Sequence, residues 1–150
     1  MLSVHSPEHF MKQALNEAQK AFEKGEIPVG AVVVCNNRII AKAHNQTELL
    51  NDVTAHAEIL AITTASTALG GKYLRDCTIY ITLEPCIMCA GALAWSQVSN
   101  IVYGANDELK GFSKFLNSNI FSSKTLIRKG VMEEESSIML KEFFKKLRKK

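Results

Sequence analysis

The chain has 150 residues, of which 47% are hydrophobic and 22% are charged. This length is typical of one domain with a full hydrophobic core, so we expect residues 1–150 to form a single domain. The composition excludes a disordered or low-complexity protein. The longest apolar stretch, residues 86–95, is far shorter than the ~20 residues that span a membrane, and no secretory signal is visible. We therefore expect a soluble, cytoplasmic protein with no membrane partner.

The net charge of +3 is concentrated at the C-terminal end. The last ten residues carry six basic side chains and one acidic side chain, whereas the residues before them are slightly acidic in sum. A basic end on an otherwise near-neutral chain points to a polyanionic partner at that one place.

Helical and strand patterns alternate along the chain. In chain order they predict a helix from Ser6 to about Gly25, strands at Pro28–Cys35 and Arg38–His44, a helix at Ala55–Leu69, a strand at Cys77–Leu83, a helix from Pro85 to about Trp95, short strands at Ile101–Tyr103 and Thr125–Arg128, and a helix at 133–150. Residues 105–123 read as irregular with one helical turn. Strands interleaved with helices imply a three-layer α/β/α domain around a mixed, mostly five-stranded sheet.

Capping and turn residues support these boundaries. Thr54 is the expected N-cap of the second helix and Gly70 its stop, and Asn36-Asn37 predicts a tight hairpin turn. The basic C-terminal helix carries an apolar stripe that we expect to face the core in the main. One of its two phenylalanines could instead contact a partner. The stripe consists of Leu140, Phe143, Phe144 and Leu147.

The four cysteines divide into two kinds. Cys86 and Cys89 form a CxxC motif, which in an intracellular chain is more typical of metal or redox chemistry than of a disulfide. Cys35 and Cys77 lie in strand patterns, and we expect them to be buried apolar side chains that form no disulfide.

Two segments place metal ligands and an acid at predicted helix starts, His56-Ala57-Glu58 and Pro85–Cys89. Cys86 and Cys89 share a face of the first turn, where the helix N-terminus favours thiolates. His56 would complete a His/Cys/Cys set for tetrahedral zinc and leave the fourth position for water. Glu58 is placed to act as the base toward that water and then as the acid toward a leaving group, if both it and His56 lie in the first turn.

Two other interpretations of these residues stay open. The CxxC pair alone could be a redox dithiol, although this leaves the His-Ala-Glu segment unexplained. A structural zinc or RNA-binding domain would need a fourth protein ligand, for which Cys35, Cys77 and His44 are the candidates.

Longer strings around these motifs resemble one protein family. They are PVGAV (28–32), TAHAEI (54–59), TLEPCIMCAGA (82–92) and EFFKKLR (142–148). The pattern H-x-E…P-C-x-x-C is the signature of the zinc nucleobase deaminases. The longer strings, in the same order over nearly the whole chain, are similar to those of the bacterial tRNA-specific adenosine deaminases.

The resemblance implies a cytidine deaminase-like fold, one zinc ion per subunit, a homodimer, and conversion of adenosine to inosine at the wobble position of a tRNA anticodon stem-loop. It implies that zinc-bound hydroxide attacks the base while Glu58 shuttles the proton. His56, Cys86 and Cys89 match the zinc ligands. The other matched positions are substrate contacts: Asn45 to the base, Ile27 and Ala57 in the pocket wall, Asp107 to the neighbouring nucleotide, and Phe144 and Arg148 to the splayed loop.

Several positions depart from the family pattern. Ser96-Gln97 stands where many members have an arginine, and the segments Gly111–Phe115 and Phe121–Lys124 differ from the family's loops. Trp95, which we expect to pack or to lie in a dimer interface, is closer to what free-guanine deaminases carry. Deamination of a free nucleobase or nucleoside such as guanine is therefore an alternative function.

Overall fold

The computed structural model describes residues 5–149 as a five-stranded sheet between two pairs of helices. Its elements are α1 (Pro7–Glu23), β1 (Gly30–Cys35), β2 (Arg38–His44), α2 (Ala57–Leu69), β3 (Cys77–Leu83), α3 (Ile87–Ser96), β4 (Asn100–Ala105), β5 (Leu126–Arg128) and α4 (Glu133–Arg148). Two short 3-10 turns, Phe112–Lys114 and Ser118–Ile120, interrupt the irregular segment before β5. This architecture confirms the predicted three-layer fold with a mixed five-stranded sheet.

The sheet order is β2-β1-β3-β4-β5, and it brings two helix starts together. β1 runs antiparallel to both β2 and β3, with Gly30 opposite His44 and Ala31 opposite Ile81. The carboxyl ends of β2 and β3 therefore lie at the same end of the sheet, on either side of β1. Because α2 and α3 follow these strands in the chain, their N-termini converge beyond this end of the sheet.

Alternate strand residues serve two separate cores. Val33 and Ile79 belong to the larger core, which includes the alanines of α2 and the buried face of α3. Val32 and Tyr80 point to the opposite face of the sheet and pack with α1. The period of two along β1 and β3 thus divides the molecule into an α2/α3 layer and an α1/α4 layer.

Most predicted boundaries are confirmed within two residues, and the local reasons are visible. The hydroxyl oxygen of Ser6 accepts the His9 N–H at 3.0 Å as the N-cap of α1. Asn36 and Asn37 have φ of 52° and 60°, the left-handed pair that a two-residue hairpin turn requires. Gly70 ends α2 with φ of 72°.

The predicted N-cap at Thr54 is wrong. Its hydroxyl donates to the Asp52 carboxylate at 2.7 Å, so that side chain serves a turn instead of the helix. α2 begins two residues later than expected, at Ala57, with His56 as the N-cap residue. α3 likewise begins at Ile87, with Cys86 as its N-cap. Both metal-ligand segments therefore start immediately outside their helices.

The expectation of two independent, unpaired strand cysteines is also wrong, because Cys35 and Cys77 form a disulfide. The antiparallel register of β1 and β3 places them directly opposite each other, with 4.5 Å between their Cα atoms. This pairing depends on β1 lying beside β3, which no local pattern in either segment indicates.

The apolar stripe of α4 is only partly a core face. Phe143 is buried and packs edge-to-face on Phe22, whereas Phe144 and Leu147 are exposed. Ser136 is the other buried residue of the helix, and its hydroxyl donates to the carbonyl of Thr82. The last predicted helical residue, Lys150, lies outside the described part of the chain. None of the helices formed by residues 5–149 combines the length and the hydropathy needed to cross a bilayer.

Candidate metal and active site

The three predicted metal ligands meet at the convergence of the two helix starts. His56 Nδ1 lies 3.7 Å from Cys86 Sγ and 3.5 Å from Cys89 Sγ, and all three atoms fall within 4.8 Å of one another. Cys89 is buried in the first turn of α3, while His56 and Cys86 are half-buried at the helix starts. This is the one such cluster among the described residues.

The spacing and chemistry of these atoms fit a zinc ion. Tetrahedral zinc, with bonds of about 2.3 Å to sulfur and about 2.0 Å to nitrogen, requires nitrogen and sulfur to lie roughly 3.5 Å apart. The two observed separations, 3.7 and 3.5 Å, lie close to that value. Two thiolates and one imidazole form a donor set suited to zinc, and three ligands leave a fourth position for water or substrate.

The electrostatics of the cluster favour a thiolate at Cys86. A hydrogen bond with Cys89 is the main reason that the pKa of the Cys86 thiol falls to about 4, with His56 acting in the same direction against burial. The same hydrogen bond, together with burial, raises the pKa of Cys89. The hydrogen bond with Cys86 also raises the pKa of His56, which burial opposes.

Glu58 lies one residue inside α2 and is 4% exposed. Burial raises the pKa of its carboxyl to about 7, although its own backbone N–H and the nearby His56 lower it. The Glu58 carboxyl forms a hydrogen bond with Cys89 and interacts electrostatically with His56, so it borders the metal-ligand cluster although His56 is the N-cap residue and Glu58 lies inside the helix. A buried carboxyl at this point can exchange protons with a ligand that water cannot freely reach.

Asn45 connects two walls of the predicted base pocket. Its side-chain oxygen accepts the Ala57 N–H at 2.8 Å, and its side-chain nitrogen donates to the Ile27 carbonyl at 3.0 Å. Ala57 is fully buried, whereas Ile27 is 44% exposed. The structure thus brings these three predicted substrate residues together next to His56.

Asp107 reaches the site through a residue that sequence reasoning missed. Its backbone N–H donates at 3.1 Å to Glu84, which is 3% exposed and lies two residues before Cys86. The Asp107 carboxylate accepts the N–H groups of Leu109 and Lys110 and so closes its own turn. An acidic residue at the end of an apolar strand, directly before the PCxxC motif, was the available signal for Glu84.

Phe144 and Arg148 are not brought to the metal-ligand cluster. They lie on α4, which packs in the layer with α1, opposite the layer of the ligand-bearing helices. Phe144 is 38% exposed, Arg148 is exposed, and Phe144 packs edge-to-face on Phe143. Their predicted contact with RNA stays a prediction.

The candidates for a fourth protein ligand lie elsewhere. Cys35 and Cys77 are joined in their disulfide. The buried His44 faces Glu17, with 3.2 Å between its Nδ1 and the carboxylate, and Lys20 contacts the same carboxylate at 2.7 Å. Burial alone would raise the pKa of the Glu17 carboxyl, but the hydrogen bonds from Lys20 and His44 have the larger combined effect, so the pKa is lowered.

Fold and site together define a deaminase of the cytidine deaminase-like class, and comparison with known proteins agrees with this. The family model of the MafB19-like deaminases matches residues 5–148.

The relatives narrow the class further. The chain is 50% identical over 147 residues to the tRNA-specific adenosine deaminase of Aquifex aeolicus, covering 94% of this chain and 95% of that one. Its identity to the Bacillus subtilis protein of the same name is 48% over 147 residues, covering 95% and 91%. A chain solved in studies of A-to-I editing by tRNA:A34 deaminases superposes with a TM-score of 0.82 at 42% identity, covering 88% and 99%. The chain belongs to the tRNA-specific adenosine deaminase family.

Proposed function

We propose that this chain converts adenosine to inosine by hydrolysis at the wobble position of a tRNA anticodon. The observation that carries the proposal is the His56–Cys86–Cys89 cluster beside the buried Glu58, in a chain about half identical to tRNA-specific adenosine deaminases. These relatives favour tRNA over free guanine as the substrate. Because the substrate is tRNA, we place the activity in the cytoplasm and assign it to residues 1–150 as one catalytic domain.

One zinc ion per subunit would be held by His56 Nδ1, Cys86 Sγ and Cys89 Sγ. When bound, zinc supplies Lewis acidity that makes a water molecule a competent nucleophile near neutral pH. The geometry supports this assignment, because the His56 nitrogen already lies 3.7 and 3.5 Å from the two cysteine sulfur atoms.

Glu58 transfers the protons in the proposed reaction. In the proposed sequence its carboxylate takes a proton from the attacking water as the new C6–O bond forms. The carboxyl then gives a proton to the exocyclic nitrogen, the C6–N bond breaks, and ammonia leaves. Its burial keeps bulk water from competing for these protons.

The flipped base would lie against the wall formed by Ile27, Asn45 and Ala57. The Asn45 side-chain nitrogen carries a second hydrogen beyond the one given to Ile27, so it can donate to the base while it holds the wall. Phe144 and Arg148, near the end of the basic helix, suit the stacking and phosphate contacts by which proteins hold unpaired RNA.

The Glu58→Gln variant tests this proposal, with Glu23→Gln on the exposed surface of α1 as the control. We expect Glu58→Gln to retain one zinc per subunit and the folded state but to release no ammonia from an anticodon stem-loop, while the control keeps wild-type turnover. Turnover by Glu58→Gln, or loss of its zinc, would contradict the assigned role.

We also propose a homodimer formed through the outer face of α3. Ile87, Gly91, Ala94 and Trp95 recur at helical spacing on that face, and Ile87 and Trp95 are 51% and 84% exposed. A large aromatic side chain amid apolar neighbours is typical of an interface core. Trp95→Glu should shift the protein from dimer to monomer in sedimentation at micromolar concentration. A wild-type monomer would contradict the proposal.

A further inference from the structure

Glu84 is a buried carboxylate that the proton-transfer scheme does not use. It follows β3 and accepts three hydrogen bonds, all from one loop. Oε1 accepts the Asp107 N–H at 3.1 Å, and Oε2 accepts the Ser113 N–H at 3.0 Å and the Ser113 hydroxyl at 2.6 Å. One charge therefore holds both ends of the segment 107–113.

The same segment lies directly against the backbone that carries a metal ligand. Gly111 forms an isolated β-bridge with Cys86, and the Phe112 N–H donates to the Pro85 carbonyl at 2.9 Å. A Cβ atom at Gly111 would overlap the Glu84 carboxylate. A side chain at this position would have to displace the carboxylate, because the loop backbone packs directly against it.

The exposed side of this segment, together with the two residues that directly follow it, has the chemistry of an RNA-contacting surface. Leu109 is 80% exposed and Phe115 is 63% exposed. Lys110 and Lys114 are exposed beside them. Exposed aromatic and apolar side chains next to lysines suit unpaired bases and their phosphates.

We propose that Glu84 is a positioning residue for the RNA substrate: it fixes segment 107–113 on the Pro85–Cys86 backbone so that the outer face of the loop is preorganised for the anticodon loop. The inference rests on the proposed function. Without the Glu84 contacts, the loop would have to become ordered when RNA binds, and the cost of ordering it would weaken RNA binding. The His56, Cys86 and Cys89 cluster and Glu58 would stay in place. Loss of the Glu84 contacts should therefore raise KM much more than it lowers kcat.

The principal test is Glu84→Gln, which keeps the side-chain size but turns an amide NH₂ donor toward loop N–H donors. Because hydrogen bonds to a charged group are lost, we expect KM for an anticodon stem-loop to rise about tenfold, with kcat within about twofold. Zinc content should stay at the wild-type level. The Asp107 and Ser113 amides should exchange hydrogen faster, a readout independent of activity.

Three further variants complete the test. Gly111→Ala perturbs the carboxylate from the loop side and should reproduce the rise in KM. Ser113→Ala removes one of the three donors and should give a smaller rise. Glu17→Gln removes another buried carboxylate, in the opposite layer, and should leave KM unchanged.

The inference is overturned if Glu84→Gln and Gly111→Ala leave KM at the wild-type value, if they lose zinc, or if kcat alone falls. If Glu84→Gln does not fold, Gly111→Ala and Ser113→Ala decide the question by the same criteria. Failure of the proposed function looks different, because the unsubstituted protein would then release no ammonia from the stem-loop.

Discussion

Asn45 is predicted to stabilise the folded protein through a single buried hydrogen bond. Asn45→Ala removes the acceptor of the Ala57 N–H, which is fully buried at the start of α2. An unpaired buried N–H costs about 1–3 kcal/mol. The Ile27 carbonyl also loses its donor, but Ile27 is 44% exposed and water can replace that bond. The free energy of unfolding should therefore fall by about 1–3 kcal/mol, nearly all of it from Ala57.

Urea denaturation at equal zinc occupancy measures this loss, and Asn45→Asp serves as the matched variant. The aspartate keeps an acceptor for the Ala57 N–H, and its charge at a helix N-terminus is favourable by about 0.3–1 kcal/mol. Its second oxygen faces the Ile27 carbonyl, which offsets part of this gain. Asn45→Asp should thus lose less stability than Asn45→Ala. A loss below about 0.5 kcal/mol for Asn45→Ala, or a larger loss for Asn45→Asp than for Asn45→Ala, would show that this hydrogen bond does not stabilise the fold as expected.

Three other predictions follow from single features. The pKa of the Glu17 carboxyl is lowered on folding from its ordinary value of 4.5, so the ionised carboxylate stabilises the folded protein. This stabilisation is complete above that pH and is lost as the pH falls below it. Acid titration of the unfolding midpoint should show the loss in the wild type and a flatter curve in Glu17→Gln. Because Cys35 and Cys77 form a disulfide, a thiol titration of the denatured, metal-free protein should count two free thiols before reduction and four after it. Reduction should lower the free energy of unfolding by about 4 kcal/mol. A count of four thiols before reduction would disprove the disulfide. Phe143→Ala should cost about 3–5 kcal/mol of stability, whereas Phe144→Ala should cost far less and instead raise KM for RNA; equal stability losses would contradict their different burial.

The metal-ligand set could be predicted because its signals are local. Each ligand lies at the start of a recognisable helix pattern that comes after a strand pattern: His56 at the first such helix, Cys86 and Cys89 at the second. The topology of such a domain brings these helix starts to one end of the sheet. The turn at Asn36-Asn37 and the cap at Ser6 are local in the same sense.

Two of the features that sequence reasoning missed depend on contacts between distant segments, and one has a local cause. The disulfide exists because β1 lies beside β3, with Cys35 opposite Cys77. The local cause concerns Thr54, which does not cap α2 because its hydroxyl donates to Asp52, two residues earlier. The position of Glu84 directly before the PCxxC motif is visible in the sequence, but its role is not, because that role depends on a loop more than twenty residues away that folds onto its carboxylate.

We expect this site to deaminate adenosine within RNA. Ammonia release by the zinc-loaded protein should be measured with an anticodon stem-loop carrying adenosine at the wobble position, and in parallel with free guanine and free adenosine. We expect release from the stem-loop alone, with inosine appearing in the RNA at an equal rate. Release from free guanine with an unchanged stem-loop would contradict it.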